Sequence, residues 1–411
     1  MKPANSSFVA RFKFWGLHPN IFFLGLVSFL TDVSSEMIFT LLPLFLANVL
    51  GVKTTVIGLI EGVADSTATL LKIASGWFSD RVGKRKLFAL LGYGLSTLAK
   101  PLMYFATAWG MVLGVRFADR VGKGIRTSPR DALVADSTLA TERGKSFGFH
   151  RAMDTLGAVV GLGVAALVVF LLQREAITLT RATYQWLVLV GVVPAALAVL
   201  LLLFFVTERR NGASPRKDAS GGEERELSGD KTFSLQFKIF LMIIIIFTLG
   251  NSSDAFLILR AQNLGASTFY ILIMLVLFNA VYALAALPAG MLSDRLGRRG
   301  VIAWGWGIYA LVYLGFGLSS AAWQVWLLFA VYGLYYGATE GTARALVADL
   351  VAARRRGTAY GLYHGAVGIT TLPASLIAGW LWDAFNPAAP FLFGAGLAGI
   401  ATMALVLLIP K

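Results

Sequence analysis

The chain of 411 residues contains no cysteine. Disulfides, thiol nucleophiles and cysteine-held metals are thereby excluded. Histidine is scarce too: His18, His150 and His364 are the three present, too far apart to form a metal-spaced cluster. No nucleophile–base motif or phosphate-cradling loop is present, which argues against a membrane enzyme acting on lipids. We expect no enzyme, no metal and no cofactor. Charge is the next shortage. Only 14% of residues are charged and 57% are hydrophobic, where soluble domains carry roughly 25% charged residues. This excludes a water-soluble domain and indicates an integral membrane protein. Acids are fewer than bases, 22 against 36, giving a formal charge of +14. In a soluble protein that excess would suggest nucleic acid. Here the bases cluster in short segments between apolar runs, so nucleic acid is not expected as a partner.

What the chain has in abundance is apolar runs long enough to cross a bilayer. Twelve are expected, at about 19–50, 54–79, 86–107, 109–137, 146–172, 185–206, 236–262, 267–292, 299–319, 321–350, 357–381 and 388–410. Loops on one side carry Arg81, Lys84, Arg85 and Lys86, then Arg143 and Lys145, then Arg295, Arg298 and Arg299, then Arg354, Arg355 and Arg356. Opposite loops hold little beyond Lys53, Arg174 and Arg181. The positive-inside rule places both termini in the cytoplasm. No removable signal peptide is read at the N-terminus. Phe8, Phe12, Phe14 and Trp15, mixed with Arg11 and Lys13, are read either as a segment on the bilayer surface or as a disordered tail.

The sequence repeats itself. "GWFSDRVGKRK" at 76–86 returns as "GMLSDRLGRRG" at 290–300, an offset of 214 residues (290 − 76). "ALVAD" at 132–136 returns at 345–349, an offset of 213 (345 − 132). "SSEM" at 34–37 has a weaker echo, "SSDA", at 252–255. A duplicated chain follows: a six-helix bundle over 1–206, a flexible cytoplasmic linker rich in Gly, Ser and both charges over 207–235, and a second six-helix bundle over 236–411. The fold class expected is all-α, with two pseudo-symmetric bundles.

The doubled "GWFSDRVGKRK" and "GMLSDRLGRRG" loops resemble the signature loop of the major facilitator superfamily, over essentially the whole chain. That resemblance implies a transporter alternating between inward- and outward-open states around a central cavity. It also implies gating roles for Gly76, Asp80, Arg81 and Gly83, and for Asp294, Arg295 and Gly297 in the second copy. The aspartate matching Asp80 faces a helix N-terminus in the family, where a carboxylate is favoured. A prokaryotic subgroup of the superfamily, poorly defined in cargo, carries a run similar to "DRVGKGIRTSPRDALVAD" in its fourth helix. In the fifth helix, "DTLGAVVGLGVAAL" resembles the antiporter motif, but Leu162 stands where that motif has proline. This weakens the inference to export, although efflux remains the expected direction.

Span 4 carries the densest charge. On a helix, Arg116, Asp119, Arg120, Lys123, Arg126, Arg130 and Asp131 fall within an arc of roughly 140°, five cations against two acids. Lipid cannot face that stripe, since intramembrane charges turn to the bundle interior or to water. Arg116, Asp119, Arg120 and Lys123 are expected to line the cavity; Arg126, Arg130 and Asp131 are expected at the cytoplasmic gate. In span 1, Asp32 and Glu36 are four residues apart and share a face. They are candidates for proton coupling, with two alternatives open: a static brace against Arg116 or Arg120, or direct contact with a cationic cargo. Asp254 and Asn279 are further cavity candidates, and Glu340 with Arg344 is a gate pair. Asp154, which follows Arg151 in the fifth span, is expected to be paired, and His150 and His364 to be interfacial. The function expected is proton-coupled secondary transport of a small organic anion or zwitterion across the cytoplasmic (inner) membrane. The runner-up is a proton/drug antiporter for lipophilic cations. Small-molecule substrate, protons and lipids are the expected partners of a monomer.

Overall fold

In a computed structural model, the described residues are 18–138, 143–174, 176–208, 233–351 and 356–409. The expected surface segment at 8–15, most of the expected linker and the side chains of Asp80 and Asp294 lie outside the described residues. Among the described residues every regular element is helical. We number them α1 (Pro19–Phe39), α2 (Thr54–Val82), α3 (Arg85–Ala99), α4 (Trp109–Asp136), α5 (Arg143–Gln173) and α6 (Arg181–Phe205). Then follow α7, in two pieces (Leu235–Gly250 and Ala255–Asn263), α8 (Thr268–Leu296), α9 (Arg298–Leu318), α10 (Ala322–Asp349), α11 (Arg356–Ala384) and α12 (Ala389–Leu408). Eight of the helical stretches have the length and apolar composition to cross a membrane; α2, α3, α4 and α10 are not among them. α2 and α4 fall short because they carry the charges discussed below.

Local chemistry sets the ends and breaks. Ser234 and Ser267 cap α7 and α8, their hydroxyls accepting from Phe237 and Tyr270 N–H, as short polar side chains do at helix starts. α2 ends where Gly83 takes φ +67° and closes on the Ser79 carbonyl, a left-handed turn that suits glycine. α3 tightens into a 3₁₀ turn at Lys100–Phe105 because Pro101 has no N–H to continue an α-helix. In α7 the helix stops at Asn251–Ser252–Ser253–Asp254, side chains that compete with the backbone for hydrogen bonds. These interruptions fall beside the polar interior. They place Lys100 and Asp254 at helix breaks.

The charge pattern is inverted relative to a soluble protein. Leu284 and Leu407 are 77% and 80% exposed on the outer surface, while Lys100 is 0% and Arg116 4% exposed. α1 packs on α5 and α6, and α4 on α2 and α3; α8 packs on α10, and α9 on α10 and α12. α2 meets α11 and α5 meets α8. The α2–α11 contact is close. Gly62 abuts Leu372 and Gly379 abuts Thr55, where an added methyl would sit 3.0 and 2.6 Å from backbone Cα atoms. Only glycine allows backbones this near. At the end of this seam remote from the 83–85 loop, Asp383 of α11 caps α2. Its carboxylate accepts from the backbone N–H of Thr54 (3.2 Å) and Thr55 (2.7 Å) and from the Thr55 hydroxyl (2.6 Å).

Candidate transport site

The described residues enclose two cavities with charged linings. The central pocket, about 340 Å³, is lined from α1, α2, α4, α5, α7 and α8. The second, about 1350 Å³, lies toward the end holding Gly76, Ser293 and Arg298. We call it the vestibule. α4 runs past both: Arg116 through Arg126 line the central pocket, and Thr127 through Asp131 line the vestibule.

The central pocket gathers six carboxylates, from Asp32, Glu36, Glu61, Asp65, Asp119 and Asp254. Against them stand four cations, Arg116, Arg120, Lys123 and Arg126. The pocket thus brings the proton-coupling candidates Asp32 and Glu36 together with the cavity candidates Arg116, Asp119, Arg120, Lys123, Asp254 and Asn279. Arg126 is the exception to its expected place. It lines this pocket, bonding the Ser96 hydroxyl at 2.7 Å with its guanidinium 4.5 Å from the Tyr93 ring centre. Asn279 donates to its own helix, at the Leu275 carbonyl. Asp254 accepts from the hydroxyls of Tyr332 (2.9 Å) and Tyr336 (3.3 Å).

The partners of the α4 cations are not those named as a possible brace. Arg116 donates to Glu61 at 2.8 Å, with both side chains about 5% exposed (5% and 6%), and its guanidinium lies 4.5 Å from the Phe39 ring centre. Arg120 faces Asp65 at 3.8 Å. Both acids come from α2, and sequence reasoning passed over them. The available signal was "EGVAD", a second acidic i, i+4 pair in an apolar run. Asp32 has no hydrogen-bond or ion-pair partner among the described residues, and Glu36 accepts only from Thr40, at 2.5 Å. The Lys123 ammonium is likewise unpartnered. A further buried cation was missed. Lys100, fully buried at the start of the 3₁₀ turn, donates to Ser34 (2.8 Å) and Ser35 (3.0 Å), the two serines between Asp32 and Glu36.

In the vestibule, Arg130 pairs with Asp131 at 2.8 Å and reaches Ser28. Glu340 accepts from Arg344 at 2.9 Å, from Arg151 at 3.4 Å and from the Tyr282 hydroxyl. Arg151 and Tyr282 thereby tie α5 to α8 and α10. Asp154 lies 3.6 Å from the His150 ring nitrogen Nδ1. Among the remaining loop residues, Arg81 lies 5.3 Å from the Trp77 ring centre, Gly76 abuts Ser128, Arg295 is exposed and Gly297 takes φ +90°.

A helical bundle with a charged interior, close glycine seams and a duplicated loop has the features of a membrane transporter, and sequence comparison supplies its family. The profile of the Major Facilitator Superfamily matches residues 24–259 and 239–411, and the chain belongs to that superfamily. An uncharacterised MFS-type transporter of Methanocaldococcus jannaschii is 37% identical over 396 residues, spanning 95% of each chain. In fold the chain is similar to a POT family transporter solved with 5-aminolevulinic acid (TM-score 0.80, 14% identity, 97% and 98% of the two chains). It is also similar to a D-xylose–proton symporter (TM-score 0.77, 16% identity, 96% and 98%).

Proposed function

We propose that this transporter moves a small zwitterionic organic solute across the cytoplasmic membrane, coupled to protons, by alternating access between two six-helix halves, α1–α6 and α7–α12. On this reading all twelve helices span the membrane, the termini are cytoplasmic and a monomer suffices. The vestibule then faces the cytoplasm, and the Asp383 cap and α2–α11 seam close the outer side, an inward-open arrangement. One observation carries the coupling: among the described residues Asp32 and Glu36 face the pocket without an ion partner, while Arg116 and Arg120 have theirs from α2. Neighbouring carboxylates take up protons as a coupled pair, and these two are free to do so. The lining offers both signs to a cargo. Lys123 is available to an acid group, and Asp32, Glu36 and Asp254 to an ammonium.

A purely anionic cargo is less well supported. Six carboxylates against four cations leave the pocket formally at −2, so protonating one acid does not make it positive. That same excess favours the second reading, a proton/drug antiporter taking lipophilic cations. Purified protein should be screened for ligand-induced thermal stabilisation by amino-acid-like zwitterions, organic acids and lipophilic cations at several pH values. Zwitterions should stabilise most. Stabilisation by lipophilic cations alone, stronger as pH rises, would replace the first reading with the second. With a ligand in hand, Asp32→Asn or Glu36→Gln should abolish accumulation driven by a pH gradient while substrate exchange continues. Intact accumulation in both variants rules out coupling through these acids.

A further inference from the structure

The seam between α2 and α11 has a readable register. Gly58 meets Ser375, Gly62 meets Leu372 and Thr69 meets Gly368, so the two helices run antiparallel. One more turn along that register brings Lys72 opposite His364, and both line the vestibule. Arg344 of α10 lines it with them, within electrostatic reach of each. Among the described residues, neither the Lys72 ammonium nor the His364 ring has a hydrogen-bond or ion-pair partner. Arg344 does have a carboxylate, Glu340, but Glu340 also serves Arg151. One negative charge is shared by two guanidiniums.

The wall as a whole is cationic. Lys72, Arg130, Arg151, Arg298 and Arg344 stand against Asp131, Asp154 and Glu340, a formal +2 with neutral histidines. We propose that Lys72, His364 and Arg344 form an anion-binding site in the vestibule, separate from the central pocket. The ligand class is an oxyanion, carboxylate or phosphate, free in solution or carried on a lipid headgroup. Chemistry suits it: a guanidinium offers a planar fork, an ammonium offers a mobile point charge, and charge-assisted bonds to oxyanions are the strong ones. Lys72 and His364 belong to helices on opposite sides of the seam. The site is therefore complete only while α2 and α11 keep this register, and an anion bound there favours the present arrangement over any that separates them. None of this depends on proton transfer at Asp32 or Glu36.

The absence of cysteine makes the test direct. Phe147 lines the vestibule and is 39% exposed, so Phe147→Cys gives a single labelling position for an environment-sensitive fluorophore. Full-length protein is titrated with inorganic phosphate at constant ionic strength, in phosphatidylcholine nanodiscs and again with phosphatidylglycerol added. We expect a saturable response that Lys72→Gln or His364→Gln weakens about tenfold, and that Lys72→Arg largely keeps. Loss of the phosphate response on adding phosphatidylglycerol identifies a lipid headgroup as the occupant; persistence identifies a soluble anion. A missing or non-saturating response, or one that Lys72→Gln leaves unchanged, overturns the proposal.

Discussion

The two cavities share the helices α2, α4, α5 and α8 yet handle charge in opposite ways. The central pocket is formally −2, and its arginines Arg116 and Arg120 are matched by acids from the neighbouring α2. The vestibule is formally +2, and its Arg344–Glu340 pair is solvent-facing, 53% and 32% exposed, against 5% and 6% for the pocket's Arg116 and Glu61. Burial decides the difference. A charge sealed from water needs a fixed partner, whereas one bordering a wide water-filled cavity is hydrated and screened. Position along α4 thus separates a net negative pocket from a net positive vestibule.

The contrast can be broken in order of effect. Glu61→Gln strands the buried Arg116 charge and should cost about 3–5 kcal/mol, seen as a large fall in the thermal unfolding midpoint. Glu61→Gln combined with Arg116→Gln should recover much of that loss; a small cost for the single change would mean the pair is not the pocket's brace. Tyr332→Phe removes one of two donors to Asp254 and should cost about 1.5–3 kcal/mol, again read by unfolding. Asp383→Ala uncaps α2 at the far end of the seam, worth about 1 kcal/mol. The ratio of closed to open molecules at that end should then fall about fivefold, measured as a larger long-distance fraction between labels at Lys53 and Asn386. Smallest of all, Arg344→Gln in the vestibule should change unfolding by about 0.5 kcal/mol and lose even that in high salt. Should it match Glu61→Gln in size, the distinction between the two compartments fails.

The helical class, the duplicated loops and the α4 stripe were legible because they are local. Apolar runs must be helices where no water is present to satisfy the backbone, and a helix fixes which of its own residues share a face. Arg116, Asp119, Arg120 and Lys123 could be assigned to one interior face on that ground alone. Arg126 shows the limit: its place on the stripe was right, but the expected gate position was not, because nothing in α4 marks where one cavity ends and the next begins.

What the sequence determined by itself was therefore which charges of α4 share an inward face and that the loop motifs recur at one offset along the chain. Which charge answers which was decided by the tertiary structure. Glu61 and Asp65 reach α4 only because α2 packs on it, and Lys100 reaches the serines beside Asp32 only because the turn after α3 is folded against α1. Lys72 opposes His364 only through the antiparallel register of two helices roughly 290 residues apart in the chain (364 − 72 = 292). Ion pairing acts over a few ångströms of space, and distance along the chain carries no such information.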